Sequence, residues 1–349
     1  MISHNAFFDQ LNLLVTEKHS FAAFRTPDST LLECYMGLKK APKKEINPSG
    51  SGFLIKPFNT NNGGYLISSN NVVSTRYLKN SMSKDLSFFE DKPDLDFKKS
   101  KEQYLNDVVS IIDNISSSDL IKVVYSKCFE FDLKSKNAID YFKNTLDLYP
   151  SAFCYLFFHP KEGFWMGASP ETLVEIQNNK ISTMALAGTK SLPGLNWGEK
   201  ELFEQKIVQD EIKKTLTPLC EKLTFLKPQT SKAGRIEHLK TAITGFTTKS
   251  PKEIIAALHP TPAVAGVPKK KAISIINKKE KHERSFYSGY LGKIAPENCS
   301  LFVNLRCLQI ANNKAKLFVG GGITQESSPE KEWEEIIHKS QTMMDVLFK

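Results

Sequence analysis

Apolar residues recur along this chain with two different periods. Short apolar runs at 121–131, 153–158, 164–167, 172–176 and 181–186, each ended by polar or turn-forming residues, predict strands. Between and after them, 137–148, 199–223, 251–258 and 271–279 place apolar residues three and four apart, which predicts helices, and strands return at 286–294, 301–310 and 316–319. Nearer the start, 53–55 and 65–67 flank the turn Asn59-Thr60-Asn61-Asn62-Gly63-Gly64. Runs of strands interrupted by helices predict an α+β fold, a single large domain with mainly antiparallel sheets layered against helices. No Gly/Ser-rich or Pro-rich linker and no internal repeat divides it.

The end of the chain concentrates these signals. The apolar run Leu317-Phe318-Val319 enters Gly320-Gly321-Gly322, and Ser328-Pro329 then opens a helix to about Leu347, with Ser328 as N-cap and Pro329 at the first helical position. Trp333, Ile336, Ile337, Met344 and Leu347 share one stripe, while Glu335 and Lys339, four apart, lie on another face. Such a pair commonly decorates a solvated surface. Beside three glycines, whose backbone a ligand can approach closely, it would equally serve a metal ion and an anion.

Three further positions invite two readings each. Lys122 in an apolar strand is either an edge-strand gatekeeper or, if burial lowers its pKa, a base. Glu171 in Gly167-Ala168-Ser169-Pro170-Glu171 reads alone as a turn carboxylate. Glu204 lies at the edge of the stripe Val208, Ile212, Leu219 and Leu223; it is either a carboxylate favoured by the helix N-terminus or one that needs a partner, with Glu201 as its rival in the same turn.

Composition narrows the class. The 349 residues are 40% hydrophobic and 24% charged, with no run long enough to span a bilayer. Residues 1–14 lack the basic start of a secretory signal, so the expected address is cytoplasmic. Six scattered cysteines without CxxC spacing read as reduced structural thiols. A net charge of +9 raises a basic nucleic-acid-binding protein as a distant alternative. The lysines, among them Lys269-Lys270-Lys271 and Lys278-Lys279-Lys281, are clustered apart and lack aromatic interleaving, which argues for no nucleic acid as partner, and the lack of a spanning run argues for no membrane.

Lys122-Val-Val-x-Ser126, Gly-Ala-Ser-Pro-Glu at 167–171, Leu-Ala-Gly-Thr at 186–189, His-Pro-Thr-Pro-Ala-Val-Ala-Gly at 259–266, Leu-Arg-Cys at 305–307 and the Gly-Gly-Gly-Ile tail with its Glu-x-x-Glu-x-x-x-Lys run resemble the chorismate-utilising enzymes, and within them the isochorismate synthases. The resemblance is collinear from Lys122 to Leu347, about two thirds of the chain, and weak before it. It implies a chorismate-binding catalytic core at 116–349, with 1–115 as the N-terminal part of the same fold.

The resemblance also implies roles. Lys122 matches the base that activates water for attack at C2 of chorismate, and Glu171 the acid that protonates the departing C4 hydroxyl. Glu204 and Glu335 match carboxylates that hold Mg2+. Arg306 and Lys339 match cations that meet substrate carboxylates, with backbone around Gly188, Gly320, Gly321 and Gly322 completing the cradle and His238 near the leaving hydroxyl. His259 is expected in a structural role. The isochorismate enzymes carry histidines on both sides of the metal glutamate, whereas Phe203 and Gln205 stand here. Amine-forming relatives typically read Pro-x-Gly-Thr where this chain has Pro260-Thr261-Pro262-Ala263, and one class carries a nucleophilic lysine where Ala187 stands, so water chemistry without a glutaminase partner is expected. Salicylate synthase, which adds pyruvate elimination, is the enzymatic alternative; Ala263 favours stopping at isochorismate. A monomer or weak dimer is expected.

Overall fold

The fold follows from a computed structural model, which describes residues 1–38, 42–77, 97–133, 137–190, 196–233 and 236–348. Among these residues seven α-helices accompany two nine-stranded sheets in which every strand pair is antiparallel. The α+β class expected from the sequence is the class observed.

One sheet runs through the strands Gly266–Val267, Lys122–Asp132, Lys314–Ile323, Cys307–Ala311, Gly163–Ser169, Phe153–His159, Ser20–Arg25, Leu31–Gly37 and Val72–Arg76. The other runs through Glu221–Phe225, Ile236–Phe246, Lys180–Lys190, Thr172–Gln177, Cys299–Val303, Tyr290–Ile294, Gly52–Lys56 and Tyr65–Ser68, with Gln229–Ala233 also pairing Ile236–Phe246. Strands from the first 76 residues thus belong to both sheets.

The sheets face each other across an aromatic core that includes Phe24, Trp165 and Phe318 from one and Phe53, Leu291 and Phe302 from the other. Phe153 stacks on Phe302 across the gap with ring centroids 4.1 Å apart. Helices cover the outer faces: His4–Thr16, Phe97–Ser116, Ala138–Leu148, Lys269–Lys279 and Pro329–Leu347 on the first sheet, Glu199–Leu216 and Pro251–Leu258 on the second. Central strands are therefore covered on both sides, and all seven residues of Phe153–His159 are buried. This is why they read as continuous apolar runs rather than alternating ones.

Three predicted elements end differently. The helix expected over 199–223 stops at Leu216, because Pro218 has no N–H to continue it; Leu219 and Leu223 still pack on the same core, which makes the stripe look continuous. The strand expected over 286–294 begins at Tyr290, after a turn closed by the Gly289 N–H on the Phe286 carbonyl. The strand expected over 301–310 is two strands in different sheets, Cys299–Val303 and Cys307–Ala311. Between them the chain crosses the sandwich, with Arg306 at φ +49° and Asn304 holding the passage: its side chain accepts from Tyr155 Oη at 2.7 Å and donates to the Phe286 carbonyl at 2.9 Å. Gly163–Ser169 and Thr172–Gln177 are likewise in different sheets, so Pro170-Glu171 forms a second crossing. The two crossings are tied together, Ser169 Oγ donating to the Val303 carbonyl and the Val303 N–H to the Glu171 carbonyl at 2.9 Å.

Candidate active site

A cavity opens beside these crossings. Lys122, Glu171, Gly188, Glu204, His238, Arg306, Gly320, Gly322 and Lys339 all line it, so residues from both sheets and two helices meet at one place. Glu335 joins through Lys339, whose ammonium lies 2.5 Å from Glu335 Oε1 and 3.1 Å from the Gly320 carbonyl. A Cβ on Gly321 would point to the opposite face of the strand from those on Gly320 and Gly322, toward Glu332, Tyr104 and Glu335, so this glycine borders those carboxylates rather than Glu204 and Lys122.

The glycines serve clearance as well as exposure. A Cβ on Gly322 would come within 2.3 Å of Glu204 Oε1 and 2.8 Å of Lys122 Cε, and one on Gly320 within 2.6 Å of Tyr287 Oη. Beyond Phe318 the strand loses its neighbour Cys307–Ala311, so along the glycines that edge has no neighbouring strand among the described residues and Lys339 reaches the Gly320 carbonyl. Gly188 sits at a bulge where the register of Lys180–Lys190 against Ile236–Phe246 shifts, at φ +71°, a conformation that disfavours any other residue.

Glu171 is only 3% exposed, and burial pushes its carboxyl up to about 8 despite the nearby charge of Lys122. It is therefore a protonated acid at neutral pH. Lys122 is 1% exposed, and its ammonium pairs with Glu204 Oε1 at 2.8 Å. The gatekeeper alternative does not apply: Lys314–Ile323 and Gly266–Val267 flank the strand, and the side chain faces the cavity. The amine is not alone among apolar residues, as its strand suggests, but offset by a carboxylate.

His238 is held as a neutral donor and acceptor. Nδ1 donates to the Gly188 carbonyl at 2.9 Å and Nε2 accepts from Arg306 Nη2 at 3.0 Å, while burial and the charges of Arg306 and Lys339 push its pKa down to about 3. Burial lowers Arg306 to about 10, which still leaves it charged. Its hydrogen bonds among the described residues go to neutral His238 and to the Lys339 carbonyl at 3.5 Å, so no carboxylate among them is hydrogen-bonded to it, although its charge acts on Glu335.

Two residues that sequence reasoning does not assign stand at the centre of the acidic side. Lys200 pairs with Glu332, which is 1% exposed. Burial alone would lower the pKa of Lys200, yet Glu332, Glu335 and Glu204 together raise it. Burial and the charge of Glu335 push Glu332 up to about 7. The Ser327 hydroxyl lies close enough to oppose that rise, but Glu332 Oε2 is buried without a hydrogen bond of ordinary geometry among the described residues. At Glu335 burial acts upward as well, but Lys339, Lys200 and Arg306 prevail and hold it below the usual carboxylate value.

Three carboxylates thus each carry one lysine: Glu204 with Lys122, Glu332 with Lys200 and Glu335 with Lys339. Among the described residues no three acidic, histidine or cysteine side chains already surround one point. The donor set nevertheless fits a hard divalent cation: it is all oxygen, one oxygen is buried and unpartnered, and the Lys200 ammonium stands where positive charge is wanted. Glu201, the rival of Glu204, instead packs its Cβ and backbone against Gly188. Of the two positions where histidines would be expected, Phe203 is exposed and Gln205 is buried, donating to Thr241 Oγ1 at 2.6 Å and so fastening the helix to the sheet. Ser328 occupies the N-cap of the last helix without a side-chain capping bond.

Residues 68–348 match the family described as chorismate binding enzyme, and the chain belongs to that family. Among its relatives are the vibriobactin-specific isochorismate synthase of Vibrio cholerae, 28% identical over 70% of this chain and 66% of the relative, and the isochorismate synthase MenF of Haemophilus influenzae, 29% identical over 66% of this chain and 57% of the relative. The aligned part thus spans between about half and two thirds of these curated relatives. A solved structure of DhbC from Bacillus anthracis superposes with a TM-score of 0.81 over 97% of this chain and 99% of that one at 24% identity, a likeness of fold. No helix among the described residues is long and apolar enough to cross a membrane.

Proposed function

We propose that this protein is an isochorismate synthase, with residues 116–349 as its chorismate-binding core. The observation that carries this reading is the meeting, in one cavity, of a protonated Glu171, the amine of Lys122 and an Arg306 whose hydrogen bonds are to neutral groups. The names of the relatives support the same activity.

In its neutral form, released from the pairing with Glu204, Lys122 takes a proton from the water that adds at C2, and Glu171 gives its proton to the hydroxyl that leaves C4 as water, so both ring double bonds shift and no atom is gained or lost overall. Arg306 offers a planar fork and Lys339 a point charge to the substrate carboxylates. Glu204 and Glu335, with Glu332 beside them, would hold Mg2+, which supplies charge to neutralise and orient a substrate carboxylate. His238, neutral and fixed in one tautomer, positions Arg306.

The test is product analysis after incubation with chorismate and Mg2+. Isochorismate alone supports the reading. Salicylate with pyruvate would replace it by the lyase alternative, and unchanged chorismate would overturn it. Glu204→Ala and Glu335→Ala should each nearly abolish turnover while leaving the circular dichroism spectrum unchanged.

A further inference from the structure

We propose a second ligand site, on the outer face of the second sheet beneath helix Pro251–Leu258, that takes a small carboxylate with an apolar body. A cavity of about 390 Å³ lies there, within the size range of ligand sites. Leu54, Ile255, Tyr290 and Ile294 give it an apolar wall, and among the described residues no acidic side chain lines it.

Its polar end is Lys56. This residue is 4% exposed, and its ammonium donates to the carbonyls of Ile46 at 2.5 Å and Thr60 at 3.1 Å, which accounts for two of its three N–H bonds. Burial lowers its pKa with no carboxylate among the described residues acting against that effect. A partly buried ammonium without a counter-charge among the described residues is disfavoured, and elsewhere in this protein Lys122, Lys200 and Lys339 are each given a glutamate. Here the missing partner is an anion, and Lys252 at the rim adds a second positive charge. His259 stays neutral, its pKa pushed down to about 4 by burial, and Nε2 donates to the Phe58 carbonyl at 3.0 Å, so it fixes the wall without competing for the anion. One segment divides the two cavities: His259 lines this one, while Ala263 and Val264 line the active cavity.

The test uses benzoate, with benzyl alcohol as its neutral counterpart, in calorimetric titrations of the full chain. Arg306→Met first weakens carboxylate binding at the active cavity, where Lys339 remains, so that the substitutions at Lys56 and Ala256 identify the second site. In that background a saturable benzoate site should remain, bind benzyl alcohol about tenfold more weakly or worse, and be weakened about as much by Lys56→Met, the scale of one charge-assisted contact. Ala256→Trp, which fills the cavity and leaves Lys56 in place, should weaken benzoate equally. Absence of saturable binding in Arg306→Met, or equal binding after both cavity substitutions, would overturn the proposal. Neither result depends on chorismate turnover, so the proposed activity stands or falls separately.

Discussion

Replacing Glu171 with Gln isolates the acid. A carboxyl at about 8 is roughly 90% protonated at pH 7, whereas the same group at its ordinary value of 4.5 would be roughly 0.3% protonated. Burial therefore supplies about a 300-fold gain in the population able to donate. The sign for stability follows from the same shift. The folded form keeps a proton that the unfolded chain releases, so the contribution is fully present below pH 4.5 and is lost as pH rises through about 8. Glutamine has no proton to lose. Urea unfolding at pH 6 and pH 9 should show the wild type losing on the order of a few kcal/mol more than Glu171→Gln across that interval. Chorismate turnover by the wild type should fall above about pH 8, and the variant should lose about two to four powers of ten in kcat. Parallel stability curves for the two proteins, or turnover by the variant within about tenfold of wild type, would refute the reasoning.

Lys200→Ala removes the ammonium among three carboxylates, so calorimetry should find Mg2+ bound roughly fivefold or more tightly; unchanged affinity would deny that Lys200 competes for the site. Gly322→Ala drives a methyl into Glu204 and Lys122, and kcat/KM should fall about a hundredfold, the scale of a misplacement of about 1 Å; near-normal kinetics would mean the pair is not needed where it stands. Arg306→Lys keeps the charge but loses the fork, so KM for chorismate should rise about tenfold or more with kcat less affected, as steady-state kinetics would reveal.

The strand runs and helical stripes make the α+β class legible because each element's apolar pattern is local. The crossing at 304–306 carries one turn signal, Asn304, but apolar residues flank it closely on both sides and arginine is no turn-former, so 301–310 reads as one strand. Glu335 and Lys339 do stand off the apolar stripe, but their face is not solvated, since the last helix packs against both the glycine strand and neighbouring helices. Lys200 and Glu332 are hard to find because their pairing spans 132 residues. Two signals point to them: Lys200 stands in the turn that holds Glu201 and Glu204, and Glu332 lies three residues before Glu335.

The two crossings make the catalytic geometry a property of how the sheets sit on each other. Glu171 and Arg306 each stand on a passage with one foot in either sheet, so sliding one sheet past the other would change the spacing of the proposed proton donor and the proposed anion-binding cation before any strand was broken. The bonds from Ser169 and Glu171 to Val303, and the stack of Phe153 on Phe302, oppose that shear. The aromatic core between the sheets therefore bears on how far apart Glu171 and Arg306 stand, and on the proposed chemistry loosening it would lower turnover at temperatures where the protein is still folded.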